Sequence, residues 1–168
     1  MSSRHLVCRA ADAIYEQPLG WAAGATGYRR WNAIGEHTGS AHTAFGMCSV
    51  EPGGSVPAHV HSFEETFYIH EGFGVIDMPD GAHQVGPGDY GLIPVGTPHA
   101  WRNDGAATVT WAEMQGPAPR SRHGDDTFLV PAGSNYQDAK REAHGRIHVI
   151  AVTSFAQALR VIRALPPR

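Results

Sequence analysis

Two histidines, His59 and His61, stand two positions apart in a stretch that runs from Gly53 to Gly72 and carries the β-rich segment Thr66-Phe67-Tyr68-Ile69. In an extended strand, residues two apart face the same side, about 6.6 Å from each other at ~3.3 Å of rise per residue. Two imidazoles on that spacing can lean toward one shared ion. Glu65 has the same parity, so an unbulged strand turns its carboxylate to that face as well. Two histidines and a carboxylate suit a borderline divalent metal. The plainer alternative for each residue is a hydrogen-bonded core histidine or a solvated strand glutamate. A glutamate on the inward face with no partner would be costly, which favours coordination.

A further histidine, His99, lies in Gly88-Asp89-Tyr90-Gly91-Leu92-Ile93-Pro94-Val95-Gly96-Thr97-Pro98-His99-Ala100-Trp101-Arg102-Asn103. The two stretches together resemble the two signature motifs of the cupin superfamily. Gly53, His59, His61, Glu65 and Gly72 fill the fixed places of the first motif, and Gly88, Pro94, Gly96, His99 and Asn103 those of the second. The resemblance implies an all-β fold, a cupin-type antiparallel β-barrel or jelly roll. It also implies that His59, His61, Glu65 and His99 bind one divalent transition metal inside the barrel. Softness and geometry allow Fe, Mn, Ni, Cu, Co or Zn, and the ligand set does not choose among them. Single-domain cupins often pack an N-terminal segment across a partner, so the resemblance implies a homodimer.

A chain of 168 residues suits one domain. We expect residues 1–40 to pack on the barrel or on a partner, 41–116 to form the barrel with both motifs, and 117–168 to complete the domain. The formal charge of −3 comes without a like-charge run, which argues against a nucleic-acid footprint. Arg29-Arg30 and Arg120-Ser121-Arg122 read as solvated loops. No apolar run reaches the ~20 residues of a membrane span. With no export signal legible, Cys8 and Cys48 read as reduced thiols of a cytoplasmic protein.

Along the chain, Ala10–Tyr15 fits a strand or a short helical turn, and Trp21, Tyr28 and Trp31 fit either an interface or the core. Thr43–Val50 reads as a strand that ends at the breaker-rich Glu51-Pro52-Gly53-Gly54. Parity leaves open which of its faces lines the barrel; Phe45 and Met47 are the pocket candidates on one of them. Phe67 and Ile69 continue the ligand parity, and Tyr68 and His70 face away. Pro79-Asp80-Gly81 is a turn, with His83 exposed beyond it. Trp101 shares the parity of His99 and is a candidate for the cavity wall, with Phe67 beside it. Asn103 ties the following turn. In 108–114 the set Val109, Trp111, Glu113 alternates with Thr110, Ala112, Met114, and either can face the pocket. The polar stretch 116–126 reads as a solvated linker or as a lid in which Arg120, Arg122 or His123 meets an anion. A strand at 147–152 and a short C-terminal helix from Ser154, with Phe155, Ala158, Leu159, Ile162 and Leu165 on its apolar stripe, close the chain.

Four protein ligands on a six-coordinate ion leave two positions for substrate, water or dioxygen. The first functional expectation is therefore a dioxygenase-type oxidoreductase acting on a small organic molecule, with Glu65 as a ligand or, leaving the metal, as a catalytic base. The second is a metal-dependent hydrolase or lyase: His37-Thr38-Gly39-Ser40 through Glu65 is similar to cupins of the ureidoglycine aminohydrolase type, which use manganese but carry two cupin halves. The third is a non-enzymatic small-molecule-binding cupin. Because ligating imidazoles must be neutral, metal loss is expected as pH falls through the histidine range.

Overall fold

A computed structural model describes residues 5–130; the strand expected at 147–152 and the helix expected from Ser154 lie outside the described residues. Among the described residues, nine strands form one antiparallel sheet: β1 (Thr26–Ile34), β2 (Ala44–His61), β3 (Glu64–Glu71), β4 (Gly74–Met78), β5 (Gly81–Val85), β6 (Tyr90–Ile93), β7 (His99–Arg102), β8 (Val109–Gly116) and β9 (Thr127–Leu129). The path is β5-β4-β7-β2-β8-β3-β6, with β1 and β9 also paired to β2. Among the described residues the helical elements are short 3-10 turns, including Ala10–Asp12 and Ser121–Asp126.

The long strand β2 is what curls this sheet. Its first half pairs with β8 from Ala44 to Val50 and with β1 from Phe45, a ladder that reaches Ser55 through Thr26, and its second half pairs with β7 and β9 from Ser55 to His61. The change of partners falls at Pro52-Gly53-Gly54. There Gly53 takes a φ of 74°, a left-handed conformation that suits glycine. A Cβ on Gly54 would come within 2.6 Å of the Thr26 carbonyl. The breakers expected to end the strand bend it instead, and the pairing continues beyond them.

Residues directly opposite in an antiparallel ladder share a face. Cys48 pairs with Trp111 and Gly46 with Glu113. Gly46, Cys48 and Val50 are accordingly buried with Val109, Trp111 and Glu113. The pocket assignment of Phe45 and Met47 is therefore corrected: they lie half-buried on the opposite face of β2. The reason is spatial. Arg30 of β1 needs the room that Gly46 leaves, since a Cβ at Gly46 would stand 2.9 Å from its Nη2.

In β3, Glu65, Phe67 and Ile69 are buried while Tyr68 is 49% exposed, as the alternation requires. The β4–β5 hairpin turns at Pro79-Asp80, and exposed His83 lies with Nε2 3.0 Å from Asp80 Oδ1. The core gathers Tyr28, Cys48, Val50, Val56, Ile69, Ile76, Ile93 and Val109 around Trp101 and Trp111. The Trp101 and Trp111 rings stack at 4.5 Å, and Phe67 meets Trp101 edge-on at 5.1 Å. Tyr28 packs 6.2 Å from Trp111, so this N-terminal aromatic is core. Trp31 is half-buried, 6.5 Å from Tyr15.

Candidate metal centre

The ladder itself brings the histidines together. His59 on β2 lies directly opposite His99 on β7, and His61 is two residues further along the same strand. The ring centroids are 4.2 Å apart for His59 and His99, 4.8 Å for His59 and His61, and 5.0 Å for His61 and His99. One ligand atom from each of the three falls within 4.8 Å of the others, and all three residues are buried. The Gly96-Thr97-Pro98 bend before His99 is fastened to β2 by the Gly96 amide donating to the His61 carbonyl at 2.9 Å. Glu65 approaches from β3 on the His61 side, its Oε2 2.9 Å from His61 Nε2, and stands outside the group of three whose ligand atoms cluster.

Each imidazole is oriented through its other nitrogen. His59 Nδ1 donates to the Pro57 carbonyl at 2.7 Å and His99 Nδ1 to the Thr97 carbonyl at 3.0 Å. A carbonyl can only accept, so these rings carry their proton on Nδ1. His61 Nδ1 meets Thr127 Oγ1 at 2.9 Å, and that hydroxyl donates onward to the Asp125 carbonyl. Its free lone pairs therefore face the imidazole, which donates from Nδ1 too. All three Nε2 atoms are left as lone-pair donors, the tautomer a metal requires, with the outer hydrogen bonds that fix ligand orientation. The buried His99 Nε2 and Glu65 Oε1 have no hydrogen-bond partner among the described residues. Buried polar atoms are normally satisfied. Three fixed imidazole lone pairs with orphaned acceptors beside them fit a divalent metal ion.

Charge within the site is divided unequally. Burial lowers the His59 pKa well below its usual value, helped by His99 and His61. Burial takes His61 down to about 4 and also lowers His99. Proton competition at the histidines thus begins below their ordinary range, lower than the sequence led us to expect. Burial raises Glu65 to about 8, with the Glu113 charge adding to it. At neutral pH without metal, the contact at 2.9 Å therefore joins a carboxylic acid to a neutral imidazole.

Glu113 behaves oppositely. Burial would raise it, but the Arg30 guanidinium and His61 outweigh burial and hold the carboxyl below the usual carboxylate value. Its Oε1 accepts from Arg30 Nη1 and, at 2.6 Å, from Gln115 Nε2. Its Oε2 has only long contacts, 3.4 Å each, from Cys48 Sγ and Trp111 Nε1. Glu113 shares a cavity of about 10 Å³ with His59, His61, Glu65, Tyr28, Trp101 and Trp111. That is room for about one water-sized group.

Trp101 thus lies on the cavity wall and Phe67 stands behind it. Asn103 ties its turn as expected, donating to Val50 and Ala107 carbonyls and accepting from the Gly105 amide. Arg30 and Gln115 were missed by sequence reasoning. Arg30 read as solvated, yet it is 7% exposed and paired with Glu113. The signal was its shared parity with Tyr28 in β1. In the largely exposed loop after β8, Arg120 is bound to Asp126 through its backbone amide, Nε and Nη2.

The sequence profile of the Cupin domain family matches residues 46–114, the span that holds all four predicted ligands. Solved cupin structures share the fold. Residues 46–114 form a cupin domain. The polyketide cyclase RemF from Streptomyces resistomycificus superimposes with a TM-score of 0.65 at 22% identity, over 83% of this chain and 93% of that one. A predicted oxalate decarboxylase from Thermotoga maritima gives 0.59 at 22% identity, over 67% and 99%. A sugar phosphate isomerase of the cupin superfamily from Silicibacter pomeroyi gives 0.57 at 22% identity, over 68% and 77%. No curated protein matches the chain. Three differently named proteins on one barrel leave this cupin's chemistry to be argued from its own side chains.

Proposed function

We propose that this cupin is a metal-dependent enzyme that moves a proton on carbon beside an oxygen of a small organic substrate, a cyclase- or lyase-type chemistry that consumes no dioxygen. The observation that carries the reading is Glu113: an ionised carboxylate in the same cavity as His59, His61 and Glu65. His59, His61, Glu65 and His99 are the ligand set. A divalent ion held there would supply a Lewis acid for the substrate oxygen. Glu113 is the general base. Its Oε1 is saturated by Arg30 and Gln115, whereas Oε2, with two long contacts, has capacity to take a proton. This assigns to Glu113 the base role expected of Glu65, which remains a ligand. Trp101 and Trp111 wall the cavity beside the carboxylate, and apolar walls strengthen electrostatic interactions there. The name of the Streptomyces cyclase fits this class.

The dioxygenase reading is favoured by one observation, the size of the inner cavity. About 10 Å³ beside the histidines, walled by indoles, suits a molecule as small as dioxygen. One experiment separates the two. The protein is analysed for metal as purified, then incubated with diketones, catechols and flavonols, with and without oxygen. Anaerobic turnover that falls about 10²–10⁴-fold in Glu113→Gln at unchanged metal content supports the proton-transfer reading. Oxygen uptake matched to product replaces it with the dioxygenase. Ligand binding without conversion under any metal refutes both and leaves a binding cupin.

A further inference from the structure

The inner cavity is too small for an organic substrate, and a second, larger one opens on the other side of the Arg30–Glu113–Gln115 wall. It measures about 390 Å³, within the roughly 300–1,000 Å³ of pockets that hold drug-sized ligands. Arg30 and Gln115 line it and both donate to Glu113 Oε1. Thr127 lines it and accepts from His61 Nδ1. The outer cavity is thus one hydrogen bond from the proposed base and one from a proposed ligand.

Resting on the enzyme reading above, we infer that this outer cavity holds the body of the substrate and takes a neutral, hydroxyl-bearing molecule with an apolar face. The charge pattern disfavours anions: two carboxylates and one histidine, His37, line the cavity beside a single arginine. Arg30 is the one cation among the described Lys and Arg side chains of the lining, and it is neutralised by Glu113. Arg120, which could have reached over, is locked to Asp126. Glu36 and Asp125 bring carboxylates to the rim. These repel phosphates and carboxylates but accept hydrogen bonds from hydroxyl groups. Ile34 and Pro18 supply the apolar wall. The neutral groups retain capacity of both kinds. Asn32 accepts from Arg30 through Oδ1, which leaves Nδ2 to donate. Gln115 donates through Nε2, which leaves Oε1 to accept.

The test is binding to the metal-loaded full chain, read by tryptophan fluorescence and calorimetry at pH 7. The probes are catechol and a flavonol as neutral ligands, with oxalate and glucose 6-phosphate as anions. The neutral ligands should bind at least tenfold more tightly than either anion. Ile34→Trp, which fills the cavity, should weaken the flavonol at least tenfold while metal content and melting temperature hold. Glu36→Lys combined with Asp125→Lys should reverse the preference and admit glucose 6-phosphate. Anions that bind as well as the flavonol would overturn the inference, as would a folded Ile34→Trp protein of unchanged affinity. Flavonol binding without turnover would refute the enzyme reading and leave the cavity's ligand class standing. Turnover of an anion would do the reverse.

Discussion

Replacing Glu65 by glutamine should stabilise the metal-free protein, increasingly so as pH rises from about 5 to about 8. Glu65 ionises near 4.5 when solvated and at about 8 in the folded chain. Between those values the folded chain holds a proton that the unfolded chain has released. Stability of the metal-free fold therefore declines as pH rises through this window. At ~1.4 kcal/mol per pH unit, the deficit from this one residue is about 1 kcal/mol at pH 5 and about 4 kcal/mol at pH 8. Glutamine keeps the shape and carries no charge, so the deficit disappears. Urea denaturation with a chelator present should find Glu65→Gln about 3–4 kcal/mol more stable than the parent at pH 8 and within about 1 kcal/mol at pH 5. With metal restored the order should reverse at pH 8, because a neutral amide is the weaker ligand. A variant that gains nothing between pH 5 and pH 8 would show that the Glu65 proton is not held by burial, and the argument would fall.

Metal uptake at pH 7 should release about one proton, from Glu65, because His61 titrates near 4 and His59 and His99 also lie below their ordinary value; calorimetry in buffers of different ionisation enthalpy counts it, and a release near three would contradict the histidine assignment. Glu113→Gln strands the buried Arg30 guanidinium and should cost about 3–5 kcal/mol in urea denaturation, with Arg30→Met recovering much of the loss in the double variant. Thr127→Val removes the acceptor that aims His61 and should weaken metal binding about 10–100-fold in competition with a chromophoric chelator. Gly46→Ala pushes a methyl against Arg30 Nη2 and should loosen the Arg30–Glu113 pair, read as a lower unfolding midpoint.

The shared face of His59 and His61 was legible because its geometry is local: a two-residue spacing decides it. The Pro79-Asp80 turn and the outward Tyr68 were legible for the same reason. Phe45 and Met47 were misplaced because alternation gives two equivalent faces, and only the Cys48–Trp111 and Gly46–Glu113 pairs, some 60 residues apart in the chain, break the tie. Arg30 was unreadable for a related reason: its carboxylate is 83 residues away, and an arginine beside another arginine looks solvated until its partner is in place. Pro52-Gly53-Gly54 shows a different limit. Composition marks a break in regular backbone, but whether a strand stops or turns a corner depends on which partners wait beyond it.

The two buried glutamates explain why a neutral substrate suits an inner site built for charge. Without metal, Arg30 and Glu113 cancel and Glu65 is protonated, so the inner site is close to neutral. With a divalent ion held and Glu65 ionised, the count becomes two positive charges less one, a net of one positive charge in a buried volume. Net charge in such surroundings is costly. An anionic ligand would lower that cost. A substrate already anionic would supply that charge, but it would first have to pass Glu36 and Asp125 in the outer cavity. A neutral compound passes that rim without repulsion, and moving its proton to Glu113 Oε2 would redistribute charge within the site while leaving the total unchanged. The acidic rim therefore selects against charge carried in, and a base inside the site moves a proton without adding any.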